Sequence, residues 1–287
     1  MKHKTRNGIL TETADGQDRI LQLLYANAAG RLLLKPLTAP AISKCAGKLL
    51  STSLSRVLIR PFIRKYGIDM SQYEEAEYGS YNDFFSRKIR PEMRPVDSDP
   101  RHLISPCDCK LTVFPVTPDC RFTVKHTEYT VASLLKNPEV AASYQNGWVL
   151  IFRLCVDDYH RYCYAVDGEK GDNIHIPGVL HTVNPLANDY FPIYKENTRE
   201  YTVIHNEVFG DVVTIEVGAL MVGKIVNHHR NASVLRGQEK GYFQFGGSTI
   251  VMLLKENTAC IDRDILENSA DGIETVVRFG EKIGSAL

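Results

Sequence analysis

Along the first third of the chain, apolar residues recur at helical spacing. Ile20, Leu21, Leu24, Ala28 and Leu32 repeat every three to four positions, which predicts helix within residues 18 to 66. Pro36 and Pro40 interrupt the pattern, and a second helix is expected over residues 41 to 60, stopped near Pro61. In Tyr78-Gly79-Ser80-Tyr81-Asn82-Asp83-Phe84-Phe85, Ser80 or Asn82 is placed to cap a short helix that turns both phenylalanines inward. Pro91 and Pro95 are expected to end it. From Leu103 the pattern becomes β. Ile104-Ser105-Pro106-Cys107-Asp108-Cys109-Lys110-Leu111-Thr112-Val113-Phe114 reads as a turn into a strand, and Trp148-Val149-Leu150-Ile151-Phe152-Arg153-Leu154 as a buried one. Val212-Val213-Thr214-Ile215-Glu216-Val217 and residues 220 to 226 are expected to pair, hinged at Gly218-Ala219. Ile250-Val251-Met252-Leu253-Leu254 is another buried run. The expected fold class is α+β: a helical section over residues 1–100, packed on a mostly antiparallel β domain over residues 101–287.

Composition bounds this picture. At 287 residues and 44% hydrophobic, the chain has enough apolar material for a core and is not disordered. Seven cysteines, an odd number in no regular framework, suggest free thiols and a reducing compartment. The basic start, Met1-Lys2-His3-Lys4, leads to no signal-peptide apolar region, and no apolar run approaches the ~20 residues of a spanning helix. The expectation is a protein that does not cross a membrane, though it could lie on one. Lys plus Arg balance Asp plus Glu at 34 each, but unevenly. Residues 19 to 66 hold nine cations, among them Lys44, Lys48, Arg56, Arg60 and Arg64, and no acid. Leucines are interleaved throughout. Basic amphipathic helices of this kind suit an anionic lipid interface, although the same pattern also serves helices packed on a core with a solvated basic face. Few aromatic residues accompany the cations, which argues against nucleic acid.

The chemistry concentrates late in the chain. In Gly246-Gly247-Ser248-Thr249, two glycines permit an unusual backbone just before a serine. A serine so placed can turn its hydroxyl on the preceding carbonyl. An N→O acyl shift at Gly247 followed by β-elimination would cut the chain there. The plainer reading is a turn ahead of a core strand. Asp108 lies between Cys107 and Cys109, a spacing that is a weak zinc signal without a second ligand pair. His160, in Asp157-Asp158-Tyr159-His160-Arg161-Tyr162-Cys163, follows a core strand and is a candidate base or proton donor. His181 and His228 are further candidates. Asp, His and Ser are together the parts of an activated-serine relay.

Taken in order, these segments resemble the phosphatidylserine decarboxylase proenzymes in their Gly-Gly-Ser-Thr form, over nearly the whole chain. The resemblance rests on Tyr81-Asn82-Asp83-Phe84-Phe85-Ser86-Arg87, Arg94-Pro95-Val96-Asp97, Ser105-Pro106-Cys107-Asp108 and Asp158-Tyr159-His160-Arg161. It continues through Val183-Asn184-Pro185, Glu196-Asn197-Thr198-Arg199, Val217-Gly218-Ala219 and Lys240-Gly241-Tyr242-Phe243 to Gly246-Gly247-Ser248-Thr249. It implies that Ser248 is the self-cleavage serine and becomes a covalent pyruvoyl (pyruvate) cofactor, with Asp108 as relay acid. The products would be a large chain, 1–247, and a small chain, 248–287. It implies decarboxylation of phosphatidylserine to phosphatidylethanolamine, peripherally, on the cytoplasmic face of a membrane, and it allows a homodimer. Cys109 stands where the family usually has glycine. Cys163 stands where it usually has a second histidine, the one that serves cleavage. Either Cys163 replaces that base, His160 does both tasks, or His181 or His228 substitutes. The reading favours His160, because imidazole titrates near neutral pH and a thiol does not. Two alternatives stay open: a pyruvoyl enzyme acting on a soluble amino acid, and a β-domain binding homologue that is never cut.

Overall fold

The computed structural model describes residues 2–12, 24–27, 30, 32–34, 38–124, 126–188, 190–219, 224–244 and 248–287. The architecture is α+β, with mostly antiparallel sheets. The strands begin with β1 (Lys2–Thr5), β2 (Leu10–Glu12), β3 (His102–Ile104), β4 (Cys109–Pro115), β5 (Arg121–Val124) and β6 (Thr127–Thr130). β7 (Trp148–Leu154), β8 (Arg161–Cys163), β9 (Gly168–Lys170), β10 (Ile174–Ile176), β11 (Arg199–Asn206) and β12 (Gly210–Val217) follow. The last are β13 (Ile225–Asn227), β14 (Ala232–Val234), β15 (Glu239–Phe243), β16 (Ser248–Leu254), β17 (Ala259–Ile261), β18 (Glu274–Val277) and β19 (Lys282–Ala286). The main sheet has the order β14-β9-β11-β12-β16-β7-β4-β18-β1-β2, with β10 on β11. Its pairings are antiparallel except β1 against β18.

β7 and β16 lie side by side at its centre. Leu150, Phe152, Ile250 and Met252 face one core; Val149, Ile151, Val251 and Leu253 face the other. A strand covered on both faces needs a continuous apolar run, which these two segments carry. Two three-stranded sheets, β13-β15-β8 and β17-β19-β3, close the first core with Tyr162, Phe243, Ile261 and Ile283. The β5–β6 hairpin and the helices Val131–Leu135 and Pro138–Ala142 close the second.

Three sequence expectations change. The strands at 212–217 and 220–226 do not pair with each other. β12 lies between β11 and β16, so both its edges are occupied, and β13 joins β15 in the small sheet. Residues 220–223 lie outside the described residues, as do Ile20, Leu21 and Ala28 of the first helical pattern. The helix expected over 41–60 is split into α1 (Pro40–Leu50), a 3₁₀ segment (Ser53–Leu58) and α2 (Ile59–Tyr66). Ser51 and Thr52 make the break, their hydroxyls donating back to the Gly47 and Leu49 carbonyls at 2.9 and 2.7 Å. Pro61 therefore sits in the first turn of α2, where its missing N–H has no helical partner to lose. The third change is at α3 (Tyr81–Phe85), which ends at Ser86, well before Pro91; Pro91 opens a 3₁₀ turn instead. Its start is as expected: Ser80 Oγ accepts the Asp83 N–H at 3.1 Å, and Phe84 and Phe85 are fully buried.

Candidate active site

Ser248 opens β16, paired with Leu154 at the end of β7, and Thr249 pairs with Val217 of β12. Alternation along β16 places Ser248 on the face of Ile250 and Met252, which the β13-β15-β8 sheet covers. The residue is fully buried, and its Oγ has no hydrogen-bond partner among the described residues. Leaving a buried hydroxyl unsatisfied costs about 1–3 kcal/mol, so such a group calls for a reason, and a reactive role is one. The turn expected ahead of it falls at Gly246 and Gly247, outside the described residues.

His160 follows the turn that leaves β7 and is fully buried. Its Nδ1 lies 2.8 Å from the Asp158 carbonyl, so Nδ1 donates there and, in the neutral ring, Nε2 is the basic nitrogen. Its own carbonyl accepts the Phe243 N–H at 3.0 Å, which ties it to the last residue of β15, the strand leading to Ser248. The ring packs on Phe85 of α3 with 4.2 Å between centroids. Arg161 Nε donates to the Ser86 carbonyl at 2.8 Å, holding the helical section against the same loop.

Asp108 occupies the turn before β4. Arg94 grips its carboxylate, with Nε–Oδ1 at 2.8 Å and Nη2–Oδ2 at 2.6 Å, and the Phe279 amide adds a bond at 2.8 Å. Beside it, Lys110 Nζ reaches both Asp158 oxygens at 2.8 Å. Cys163 lies in β8, its amide bonded to the Pro106 carbonyl at 2.9 Å. Cys163 Sγ is 4.0 Å from the Ser105 carbonyl, and Cys109 Sγ is 4.0 Å from Ser105 Oγ, so the two unusual cysteines converge on one residue. Burial pushes the Cys163 thiol well above its ordinary range, which makes it a poor base. Cys163 shares the first core with Leu154, Phe243 and Ile250, so the turn of Asp108, the strand of Cys163 and the strand of Ser248 meet in one core.

The other candidate histidines, His181 and His228, and the neighbouring His229 have separate partners. His181 Nδ1 is 3.3 Å from the Tyr25 hydroxyl, and its ring stacks on Phe191 at the second core. His228 Nε2 is 2.6 Å from Glu239 Oε1, and His229 Nδ1 is 3.1 Å from the Tyr164 hydroxyl. Among the described residues, no three His, Cys, Asp or Glu side chains converge as metal ligands would.

Two cavities flank the loop. A polar one of about 220 Å³ is lined by Gln72, Tyr73, Arg94, Asp108, Asp157 and Tyr159. An apolar one of about 350 Å³ is lined by Leu50, Leu58, Phe62, Tyr81 and Val156. Tyr66 borders both. Arg94 stands in the Arg94-Pro95-Val96-Asp97 motif, and nothing local in the sequence points to its partner. Glu216 and Lys240, named only within a strand and a motif, form a pair 2.7 Å apart and 1% exposed at each side chain. A lone charge inside the apolar run at Glu216 was the signal for it.

The family model for phosphatidylserine decarboxylase matches residues 81–285. The chain is 46% identical over 265 residues to phosphatidylserine decarboxylase proenzyme 2 of Clostridium acetobutylicum, covering 92% of this chain and 91% of that one. It is 39% identical over 274 residues to a phosphatidylserine decarboxylase proenzyme of Clostridium botulinum, covering 93% of each. A Desulfitobacterium hafniense relative of the same name is 39% identical over 273 residues, 93% of this chain and 92% of the relative.

Proposed function

Because the chain belongs to the phosphatidylserine decarboxylase family, a family of carboxy-lyases, we propose that it is a proenzyme that cuts itself between Gly247 and Ser248 and then converts phosphatidylserine to phosphatidylethanolamine and carbon dioxide. The observation that carries the cleavage is Ser248 itself: buried, first in a central strand, and without a hydroxyl partner among the described residues. His160 Nε2, with its lone pair fixed by the Nδ1–Asp158 bond, takes the hydroxyl proton. Oγ attacks the Gly247 carbonyl and the acyl group passes from nitrogen to oxygen. Elimination frees the Gly247 carboxylate with the large chain, 1–247. The unsaturated residue left at 248 hydrolyses to a pyruvoyl group and ammonia, heading the small chain 248–287. Asp108, the relay acid that the resemblance implies, has its carboxylate on Arg94 and the Phe279 amide while His160 Nδ1 is on the Asp158 carbonyl, so the part proposed for it here is to fix the turn before β4.

The residues present fit a pyruvoyl group at 248, since the position is buried in an apolar core and its one polar side-chain atom is uncommitted among the described residues. When formed, that group supplies a carbonyl for the substrate amine and an electron sink for the pair released with carbon dioxide. His160 then holds the proton that returns to the substrate carbon, and Phe85 excludes water from its ring.

A lipid substrate is favoured by the helical section. Leu49, Leu54, Val57 and Leu58 are exposed there, beside exposed Lys48, Arg56, Arg60 and Arg64. The apolar cavity suits a lipid chain next to the loop of His160. Among the described residues no helix is long and apolar enough to cross a membrane, and a peripheral site on an anionic, cytoplasmic membrane face agrees with the exposed cations. Intact mass under denaturing conditions tests the cleavage. The purified protein should give two chains, the smaller starting at residue 248 and reactive toward a hydroxylamine probe, and Ser248→Ala should remain one inactive chain. Activity of an uncut chain would refute this reading.

A further inference from the structure

β15, the strand that precedes Ser248 in the chain, is held by a side-chain device that the cleavage chemistry itself does not use. β15 pairs with β8 through Glu239–Cys163 and then Gly241–Tyr162, so Lys240 is one residue too many on its strand. Such a bulge re-aims a side chain. Here it turns Lys240 inward, to 1% exposure. Its Nζ lies 2.7 Å from Glu216 Oε1 and donates to Asn227 Oδ1 at 2.8 Å. Asn227 Nδ2 in turn donates to Glu216 Oε2 at 3.1 Å and to Glu200 Oε1 at 2.6 Å, while the Tyr162 hydroxyl donates to Asn227 Oδ1 at 3.2 Å. Gly241 makes the arrangement possible, because a Cβ there would sit 2.0 Å from the Val226 carbonyl oxygen.

The pair joins two different layers. Lys240 belongs to β15 in the small sheet, and Glu216 to β12 in the main sheet, opposite Ile250 of β16. β16 starts at Ser248, only five residues beyond the end of β15. The bond to be cut therefore lies between a strand anchored by Lys240 and a strand flanked by Glu216. Burying two charges is costly, and well-packed apolar residues often hold a core as well or better. We propose that Lys240 and Glu216, with Asn227, are positioning residues for self-cleavage: they fix β15, the strand upstream of the bond, relative to β16, the strand that Ser248 opens. The inference rests on the reading that the chain cuts itself at this bond.

The test follows cleavage by gel after cell-free synthesis, for the unsubstituted chain, E216Q/K240M and K240R. Thermal melting of the same substitutions is measured on the uncut Ser248→Ala chain, so that all are compared in one covalent state. E216Q/K240M removes both charges and leaves neither unpaired. The expected result is a double variant that melts within about 3 °C of its parent yet cleaves about tenfold or more slowly, with K240R within about threefold of the unsubstituted chain. A folded double variant that cleaves at the unsubstituted rate overturns the proposal. So does one that fails to fold, which would assign the pair to stability alone. If the unsubstituted chain itself stays uncut, the self-cleavage reading fails first and the positioning role falls with it.

Discussion

At the scale of single residues, the question is which group serves as base. Cys163 occupies the position at which a second histidine was expected, but its thiol is buried, held toward the neutral form and directed at the Ser105 carbonyl. His160 is also buried, yet with Nδ1 on the Asp158 carbonyl its neutral ring presents Nε2 as the basic nitrogen, and its backbone is bonded to β15. A general base contributes roughly 10²–10⁴ in rate. We therefore expect His160→Ala to slow cleavage by at least ~100-fold. Cys163→Ala should mature within about threefold of the parent, since the thiol that is lost is held neutral by burial and faces the Ser105 carbonyl. Pulse–chase followed by gel electrophoresis reads both variants. Maturation blocked in Cys163→Ala but normal in His160→Ala would reverse the assignment.

At the scale of elements, the β1–β2 hairpin extends the main sheet from the far end of the sequence and is held there by charge. Arg6 donates to Asp264 and Asp262 at 2.8 Å each, and Lys282 Nζ adds a contact to Asp262 at 2.5 Å. Burial alone would raise the Asp262 pKa, but the hydrogen bonds from Lys282 and Arg6 outweigh it and hold the carboxyl below its ordinary value. A depressed folded pKa gives stability that is fully present above the unfolded value, near ~3.9, and is lost as pH falls through the folded one. Arg6→Ala removes part of that depression. Acid unfolding, followed by circular dichroism, should then begin at a higher pH, with about 1 kcal/mol lost at neutral pH. An acid transition identical to the parent's would show that the hairpin is held by its backbone ladder alone.

At the scale of the whole molecule, the cations of the helical section and the acidic excess elsewhere give the protein a direction. Each cation near an anionic surface contributes about 1 kcal/mol, decaying over ~10 Å at moderate salt. Burial of the exposed leucines adds a part that salt does not screen. The expected outcome is cosedimentation with vesicles containing phosphatidylserine, weak binding to zwitterionic ones and partial release at high salt. Arg56→Glu, Arg60→Glu and Arg64→Glu together should abolish binding and slow lipid turnover while leaving self-cleavage intact. All three side chains are exposed. Equal binding to anionic and neutral vesicles would remove the electrostatic argument.

The order of motifs in the sequence determined the family, and the apolar runs at 148–154 and 250–254 determined two central strands, because a strand buried on both faces has little choice of composition. The Ser80 cap and the inward Phe84 and Phe85 were legible for the same local reason. Contacts between distant segments were not. Strand partners depend on which edges remain free, so β12 and β13, expected to pair, went to different sheets. The break in the helix over 41–60 came from two hydroxyls competing for carbonyls, and Pro61, a stop by composition, became a start by position. Arg94 on Asp108, Phe85 on His160 and Lys240 on Glu216 join residues 14, 75 and 24 positions apart. Only packing brings such groups together, since local periodicity carries no record of which layer a bulge will turn a side chain toward.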